Sequence, residues 1–238
     1  VKKSAAAPAP KKAALPAAKK AALPAAKKAA AAPAPAPKAV ERSTQPVVQA
    51  PPAVSPFDEA VARLRSADPA LRRQGADALA RSRDQQAAPY LIKAMADAAA
   101  PVRTAAVDGL CQLGRRDATP KISEILLKDP DAAVRQQAAG SLSYMMDPAA
   151  GPALIKALSD KEPPVRYAAA NTLGIMKYAP AEDPLIDALS EPGMRRIAIS
   201  ALGQLQSKKA AAGIAPYLSD SDKFTRLEVI KALGSIGD

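Results

Sequence analysis

Residues 165–174, VRYAAANTLG, are one copy of a segment that recurs along most of the chain. Residues 134–143, VRQQAAGSLS, are a second copy, and four more follow the same order of an apolar residue, Arg, small residues and Leu. The Arg residues are Arg72, Arg103, Arg135, Arg166, Arg195 and Arg226. They are spaced by 29 to 32 residues, and a fixed period of this size indicates a stack of identical structural units.

Each unit reads as two short helices, which we call A and then B. In helix B, apolar side chains recur at every fourth position, as at Val165, Ala169 and Leu173, and this spacing marks one buried stripe. Pro89, Pro120 and Pro152 fall where helix A should begin, a position at which Pro is tolerated. The sequence therefore predicts an all-α fold, an α-solenoid of about six helix pairs over residues 56–238.

The recurring segment resembles the HEAT-repeat family, specifically its short bacterial form known as PBS-lyase-like repeats. The resemblance spans residues 56–238 and implies HEAT-type helix pairs stacked into a right-handed solenoid. It also implies a range of functions, because the family includes phycobilin lyase subunits, deoxyhypusine hydroxylase and bacterial scaffold proteins. The hydroxylase resemblance implies iron held by His and Glu pairs, and this chain contains no His.

The composition excludes several kinds of catalytic site. Without His, neither a Ser-His-Asp triad nor a Cys-His pair can form. The single cysteine, Cys111, lies in an apolar B helix and is expected to be buried and inert. No run of 18 uncharged apolar residues predicts a membrane span. We therefore expect a protein that is not an enzyme and has no catalytic residues, cofactor or metal site.

Residues 1–55 form a basic tail rich in Ala, Pro and Lys. They carry a net charge of +9 out of the chain's +11, and residues 11–26 repeat KKAALPAA twice. A Pro in every repeat opposes helix formation, so we expect a disordered tail and linker. The composition resembles the tails of linker histones. Two interpretations remain, a polyanion-binding arm and a charged spacer. The polyanion-binding candidates are Lys11, Lys12, Lys19, Lys20, Lys27 and Lys28.

An acid stands four residues before the Arg in five of the six copies. This spacing places the acid at the start of helix B, where it can cap the helix and pair with the Arg one turn later. The predicted structural pairs are Asp68/Arg72, Asp131/Arg135, Glu162/Arg166, Glu191/Arg195 and Asp222/Arg226. The Arg column is interpreted as structural, with pairing between repeats along one edge of the solenoid.

The B helices usually line the concave face in HEAT solenoids, so exposed B positions are the candidates for binding a partner. In the middle repeats the positions one, five and nine residues after the Arg are uncharged. The candidate partner-binding residues are Gln136, Tyr144, Tyr167, Asn171 and Ile175. Tyr is enriched at the hot spots of protein interfaces. The alternative is that both Tyr rings simply pack between adjacent repeats.

These observations predict a monomeric bacterial interaction scaffold that docks a protein partner and holds nucleic acid or another polyanion with its tail. One alternative is a lyase-type or other enzyme subunit of the PBS-lyase HEAT group. A second is an envelope protein in which the tail is a spacer after an anchor. The predicted location is accordingly the cytoplasm, with association to the nucleoid, or else the cell envelope. Apolar residues in the last repeat also suggest a further helix pair beyond Asp238.

Overall fold

A computed structural model describes residues 54–237 of the chain. The described part contains twelve α-helices and no strand, so the predicted all-α fold is confirmed. The helices are α1 (Pro56–Arg63), α2 (Pro69–Ser82), α3 (Ala88–Ala94), α4 (Ala100–Gln112), α5 (Thr119–Lys128), α6 (Ala132–Met145), α7 (Gly151–Ala157), α8 (Pro163–Ile175), α9 (Glu182–Asp187), α10 (Pro192–Leu205), α11 (Lys208–Ile214) and α12 (Lys223–Ile236).

The helices alternate in length and form the predicted pairs. Odd-numbered helices are the A helices, at most ten residues long, and even-numbered helices from α2 onward are the B helices, with 13 or 14 residues. Each B helix packs against the B helix of the next repeat and against its own A helix. The predicted apolar stripe forms the core, since Val134, Ala138 and Leu142 are fully buried. This stacking of neighbours confirms the predicted α-solenoid.

The three aspartates among the five predicted capping acids cap helix B with their side chains, whereas Glu162 and Glu191 occupy the N-cap position without a side-chain bond to the helix. Asp68 and Asp131 are N-cap residues whose carboxylates accept the backbone N–H two residues later, each at 2.8 Å. Asp222 caps α12 in the same way. Each such bond satisfies one of the N–H groups that a helix leaves without an internal partner.

The predicted pairing of each Arg with the acid four residues earlier is wrong. In the described residues none of the five pairs, Asp68/Arg72, Asp131/Arg135, Glu162/Arg166, Glu191/Arg195 and Asp222/Arg226, is an ion pair. The Arg of every repeat but the last instead reaches an acid of the next repeat, about 25 residues onward. The observed pairs are Arg72–Asp97, Arg103–Asp129, Arg135–Asp160, Arg166–Glu191 and Arg195–Asp220.

The reason for this exchange lies in the loop before helix B. Arg135 Nη1 donates to the carbonyl oxygen of Asp129 at 2.8 Å, which anchors the guanidinium against the loop. The remaining edge, Nε and Nη2, then faces the next repeat and donates to both carboxylate oxygens of Asp160, at 2.8 and 3.0 Å. Arg72 and Arg103 repeat this geometry. The Arg column therefore joins successive repeats.

The predictions for the tail concern residues outside the part of the chain that the structure describes. They are the disordered state of residues 1–55 and the six candidate lysines at 11, 12, 19, 20, 27 and 28. The first described helix begins at Pro56, the residue at which the solenoid was predicted to start. No helix within residues 54–237 is long and apolar enough to span a lipid bilayer.

Candidate partner-binding surface

The five candidate residues lie on two adjacent B helices. Gln136 and Tyr144 are on α6, and Tyr167, Asn171 and Ile175 are on α8, which packs directly against α6. Tyr144 is 69% exposed, Ile175 is 42% exposed and Tyr167 is 37% exposed, while Gln136 is exposed and Asn171 half-buried. We call these five residues the middle patch. Its side chains carry no charge.

The two Tyr residues differ in their surroundings. A ring exposed to 69% cannot be held between repeats, so the packing alternative fails for Tyr144. Tyr167 instead lines a cleft of about 260 Å³ together with Arg196 and Ser200 of α10, so its side chain faces the next repeat. Tyr144 is therefore the more accessible anchor of the middle patch.

Two further features of the patch were not predicted from the sequence. Gly140 lies between Gln136 and Tyr144 on the same face of α6, and the space that a Cβ atom there would occupy is empty to 4 Å. An incoming group can thus approach the backbone of α6 closely. Met146, 46% exposed, follows α6 in a left-handed conformation with a φ of 48°. A residue other than Gly gives no sequence signal for that conformation.

Polar side chains connect the B helices below the exposed surface. Asn171 accepts a hydrogen bond from Gln204 Nε2 at 3.5 Å, which joins α8 to α10. Asp108 of α4 accepts bonds from Gln137 Nε2 at 3.2 Å and Ser141 Oγ at 3.0 Å, both on α6. Asn171 is therefore partly engaged within the solenoid, and only the rest of its amide faces outward.

A second, more polar cleft lies on the earlier B helices. It measures about 440 Å³ and is lined by residues of α2, α4 and α6, among them Arg73, Asp77, Thr104, Asp108 and Gln137. Arg73 Nε lies 3.7 Å from the Asp77 carboxylate, so these two charges largely compensate one another. Helical periodicity alone does not show that these side chains share one cleft.

Cys111 is buried, as predicted, with only 2% of its surface exposed. Burial, with a smaller contribution from the nearby Asp108 carboxylate, raises the pKa of its thiol to about 12. The thiol therefore stays protonated at neutral pH, where a nucleophile would need the thiolate. Within residues 54–237 no three His, Cys, Asp or Glu side chains cluster closely enough to hold a metal ion.

A family model for HEAT repeats matches residues 57–143, 119–193 and 182–238, which together cover most of the chain. The chain belongs to the HEAT-repeat family. The matches overlap because each spans more than one repeat, as expected for a continuous stack. The comparison with curated proteins found no match.

Solved structures of helical repeat proteins are similar to the chain. One is the complex of CpcE and CpcF of phycocyanin lyase from Nostoc sp., with 28% identity and a TM-score of 0.57 over 85% of this chain and 83% of that one. Another is YibA of Escherichia coli, with 22% identity and a TM-score of 0.57 over 74% and 69%. An engineered protein matches at 17% identity and 0.56 over 77% and 97%. The last two show the fold alone.

Proposed function

We propose that the chain is a non-enzymatic scaffold that binds a protein partner through the middle patch. The observation that carries the proposal is the exposure of Tyr144 on α6, together with that of Ile175 at the corresponding position of the neighbouring helix α8. A rigid, exposed Tyr loses little conformational entropy when it is covered, which is why such residues become interface hot spots.

The test compares two exposed aliphatic residues on different layers. Ile175 on α8 is 42% exposed and Leu127 on the A helix α5 is 39% exposed, so changing either to Asp should affect the stability of the fold to a similar extent. Affinity capture with quantitative mass spectrometry should lose the partner with Ile175→Asp and keep it with Leu127→Asp. Equal capture by both variants would show that the partner binds elsewhere.

We further propose that the lysines of the tail bind nucleic acid or another polyanion. The support is the charge distribution, since residues 1–55 hold ten basic residues and one acid, whereas residues 56–238 hold 24 and 22. Paired lysines without intervening acids favour phosphate contacts that release counterions. If the tail is only a charged spacer, its lysines make no phosphate contacts.

A salt series separates the arm from the spacer. Binding of a labelled DNA duplex to the full chain is compared with the variant in which the six candidate lysines become Gln. If all six contact phosphates, the slope of log K against log salt becomes shallower by about 5 in the variant. Absence of binding by the unaltered chain would favour the spacer, including its use between an envelope anchor and the solenoid.

A second candidate function is that of a lyase-type subunit. It is favoured by the similarity to the CpcE and CpcF complex of a phycocyanin lyase, at 28% identity over most of both chains. This function predicts that a tetrapyrrole binds the chain with fixed stoichiometry. An absorbance titration would detect such binding, and saturation at one equivalent would replace the scaffold proposal.

A further inference from the structure

The polar cleft across α2, α4 and α6 carries an excess of negative charge. Among the described residues that line it are three carboxylates, Asp77, Asp108 and Asp131, and one cation, Arg73. The Arg73 guanidinium lies 3.7 Å from the Asp77 carboxylate and compensates its charge. The remaining negative charge suits side chains that bear an amine, because hydrogen bonds between two charged groups are stronger than neutral ones.

This cleft is continuous with the middle patch. The Asp108 carboxylate on α4 accepts a hydrogen bond from Ser141 Oγ at 3.0 Å, and Ser141 directly follows Gly140 on α6. The space beside Gly140 is open to 4 Å, and Tyr144 lies one turn further along the same helix. The surface therefore changes in order from carboxylates, through an accessible stretch of backbone, to the exposed side chains of Tyr144 and Ile175.

The complementary order of side chains occurs twice in the basic tail. Residues 11–15 and 19–23 both read Lys-Lys-Ala-Ala-Leu, which is a pair of amines, then two small residues, then a large apolar side chain. In an extended chain the three residues from the second lysine to the leucine cover about 10 Å. Neighbouring packed helices such as α4 and α6 have their axes 8–10 Å apart. The segment thus has the length that separates the cleft from the middle patch.

We propose that a Lys-Lys-Ala-Ala-Leu segment of the tail docks on this surface and covers the middle patch. Its lysine amines bind the carboxylates of the cleft, its two alanines pass over Gly140, and its leucine packs against Tyr144 and Ile175. The tail is then a tethered competitor of the protein partner. The proposal rests on the proposed scaffold function, because it concerns the regulation of the same patch.

Charge and length both favour the tail as the occupant. Residues 1–55 carry a net charge of +9, which is opposite in sign to the excess charge of the cleft. Residues 24–53 separate Leu23 from the first described residue, and a chain of that length spans up to about 100 Å. The B helices from α2 to α8 cover only about 30 Å. Attachment to the same chain also gives an effective concentration in the millimolar range, so that a weak contact is populated.

The experiment couples lysine amines to carboxylates in the full chain with a carbodiimide, which links only groups that are in direct contact. Unlabelled chain is mixed with chain that carries heavy nitrogen, so mass spectrometry separates crosslinks within one chain from those between two. We expect crosslinks within one chain, from the lysine pairs at 11/12 and 19/20 to Asp77 and Asp108. The control is Asp187, an exposed carboxylate on the A helix α9, which should not be coupled to these lysines.

Two tail variants test the apolar end of the segment. Leu15→Ser with Leu23→Ser keeps every charge of the tail, whereas Val47→Ser with Val48→Ser removes two apolar side chains that no lysine pair precedes. Both changes lie outside the described helices, so neither disturbs the core of the solenoid. The leucine variant should shift the amide resonances around Tyr144, because the patch is uncovered, and the valine variant should leave them where they are in the unaltered chain.

The same variants predict a change in partner binding. If the tail covers the patch for half of the time or more, the leucine variant should raise the apparent affinity for the captured partner at least about two-fold. The valine variant should leave this affinity unchanged.

Three results would overturn the proposal. One is coupling of the tail lysines to Asp187 as often as to the cleft, and another is a set of α6 and α8 resonances that the leucine variant does not move. The third is coupling only between two chains, because the occupant would then be the tail of a second copy. A partner that Ile175→Asp removes, but whose affinity the leucine variant leaves unchanged, would leave the scaffold function standing and remove only its regulation by the tail. Capture that Ile175→Asp leaves unchanged would instead remove the partner site itself.

Discussion

The arginine at the fourth position of each B helix from α2 to α10 joins one repeat to the next. Arg135 is 5% exposed and its charge is met by Asp160, whose side chain is 12% exposed. A guanidinium this deeply buried needs a carboxylate because desolvation of an unpaired charge costs several kcal/mol. The same residue therefore fixes the register between two repeats as well as the loop before its own helix.

Removal of the Asp160 carboxylate should destabilise the solenoid strongly. Asp160→Asn leaves Arg135 buried without a counter-charge, and we expect the free energy of unfolding to fall by about 3 kcal/mol. The matched control is Asp117→Asn. Asp117 also pairs with an arginine, Arg115, but the Asp117 side chain is 57% exposed. Water can therefore hydrate Arg115 once the carboxylate is removed. Urea unfolding measures both variants, and equal losses would contradict the argument.

The aspartates of these pairs should set the response of stability to acid. The hydrogen bond from Arg72 holds the pKa of Asp97 below its usual range, and burial only partly opposes this shift. A carboxyl with a lowered folded pKa contributes stability that is present above its unfolded pKa, about 3.9, and is lost as pH falls through the folded value.

We therefore expect the melting temperature to be nearly constant from pH 5 to pH 8, because the chain has no His, and to fall below about pH 4. Asp97→Asn should lower stability at neutral pH and make the acid decline shallower. Calorimetry across this pH range tests both statements. A melting temperature that rises on acidification would contradict the sign of the shift.

At the scale of helices, the spacing between B helices depends on glycine. Gly203→Ala should force α10 and α12 apart, since the new Cβ would lie 2.8 Å from Ala232, and we expect a loss of about 1 to 3 kcal/mol. Gly234→Ala is the control, because nothing lies within 4 Å and Ala favours helix by about 1 kcal/mol. Thermal melts should move in opposite directions, and parallel losses would disprove the close-packing explanation.

The helices were predictable from the sequence, whereas the contacts between repeats were not. The recurring Val-Arg segment and its four-residue apolar spacing predicted the helix pairs and their core, including the fully buried Val165, Ala169 and Leu173. The partner of each Arg was mistaken because sequence spacing shows the acid one turn away. Sequence spacing does not show the register between repeats, which brings a carboxylate 25 residues onward next to the guanidinium.

The same limit applies to the candidate surface. The position of Tyr144 on an exposed face followed from helical periodicity, but periodicity does not give its 69% exposure, which depends on how the neighbouring helices pack. Met146 could not be predicted to face solvent because its left-handed conformation is unusual for a residue with a side chain.

At the scale of the whole molecule, the described residues form a stack in which each repeat contacts its neighbours. Stacks of this kind present extended faces that suit protein contact. Both the membership in the HEAT family and the exposed side chains of the middle patch are in line with a protein-binding surface. The central claim is that the patch on α6 and α8 is the surface at which a protein partner binds.

The most direct test of that claim is site-specific photo-crosslinking in the native cell. A benzophenone amino acid replaces Tyr144 on α6 in one strain and Lys156, an exposed residue on the A helix α7, in another. We predict that position 144 crosslinks to one protein at high yield and that position 156 gives no product with that protein. Crosslinking from position 156 alone, or equal yields from both positions, would contradict the account.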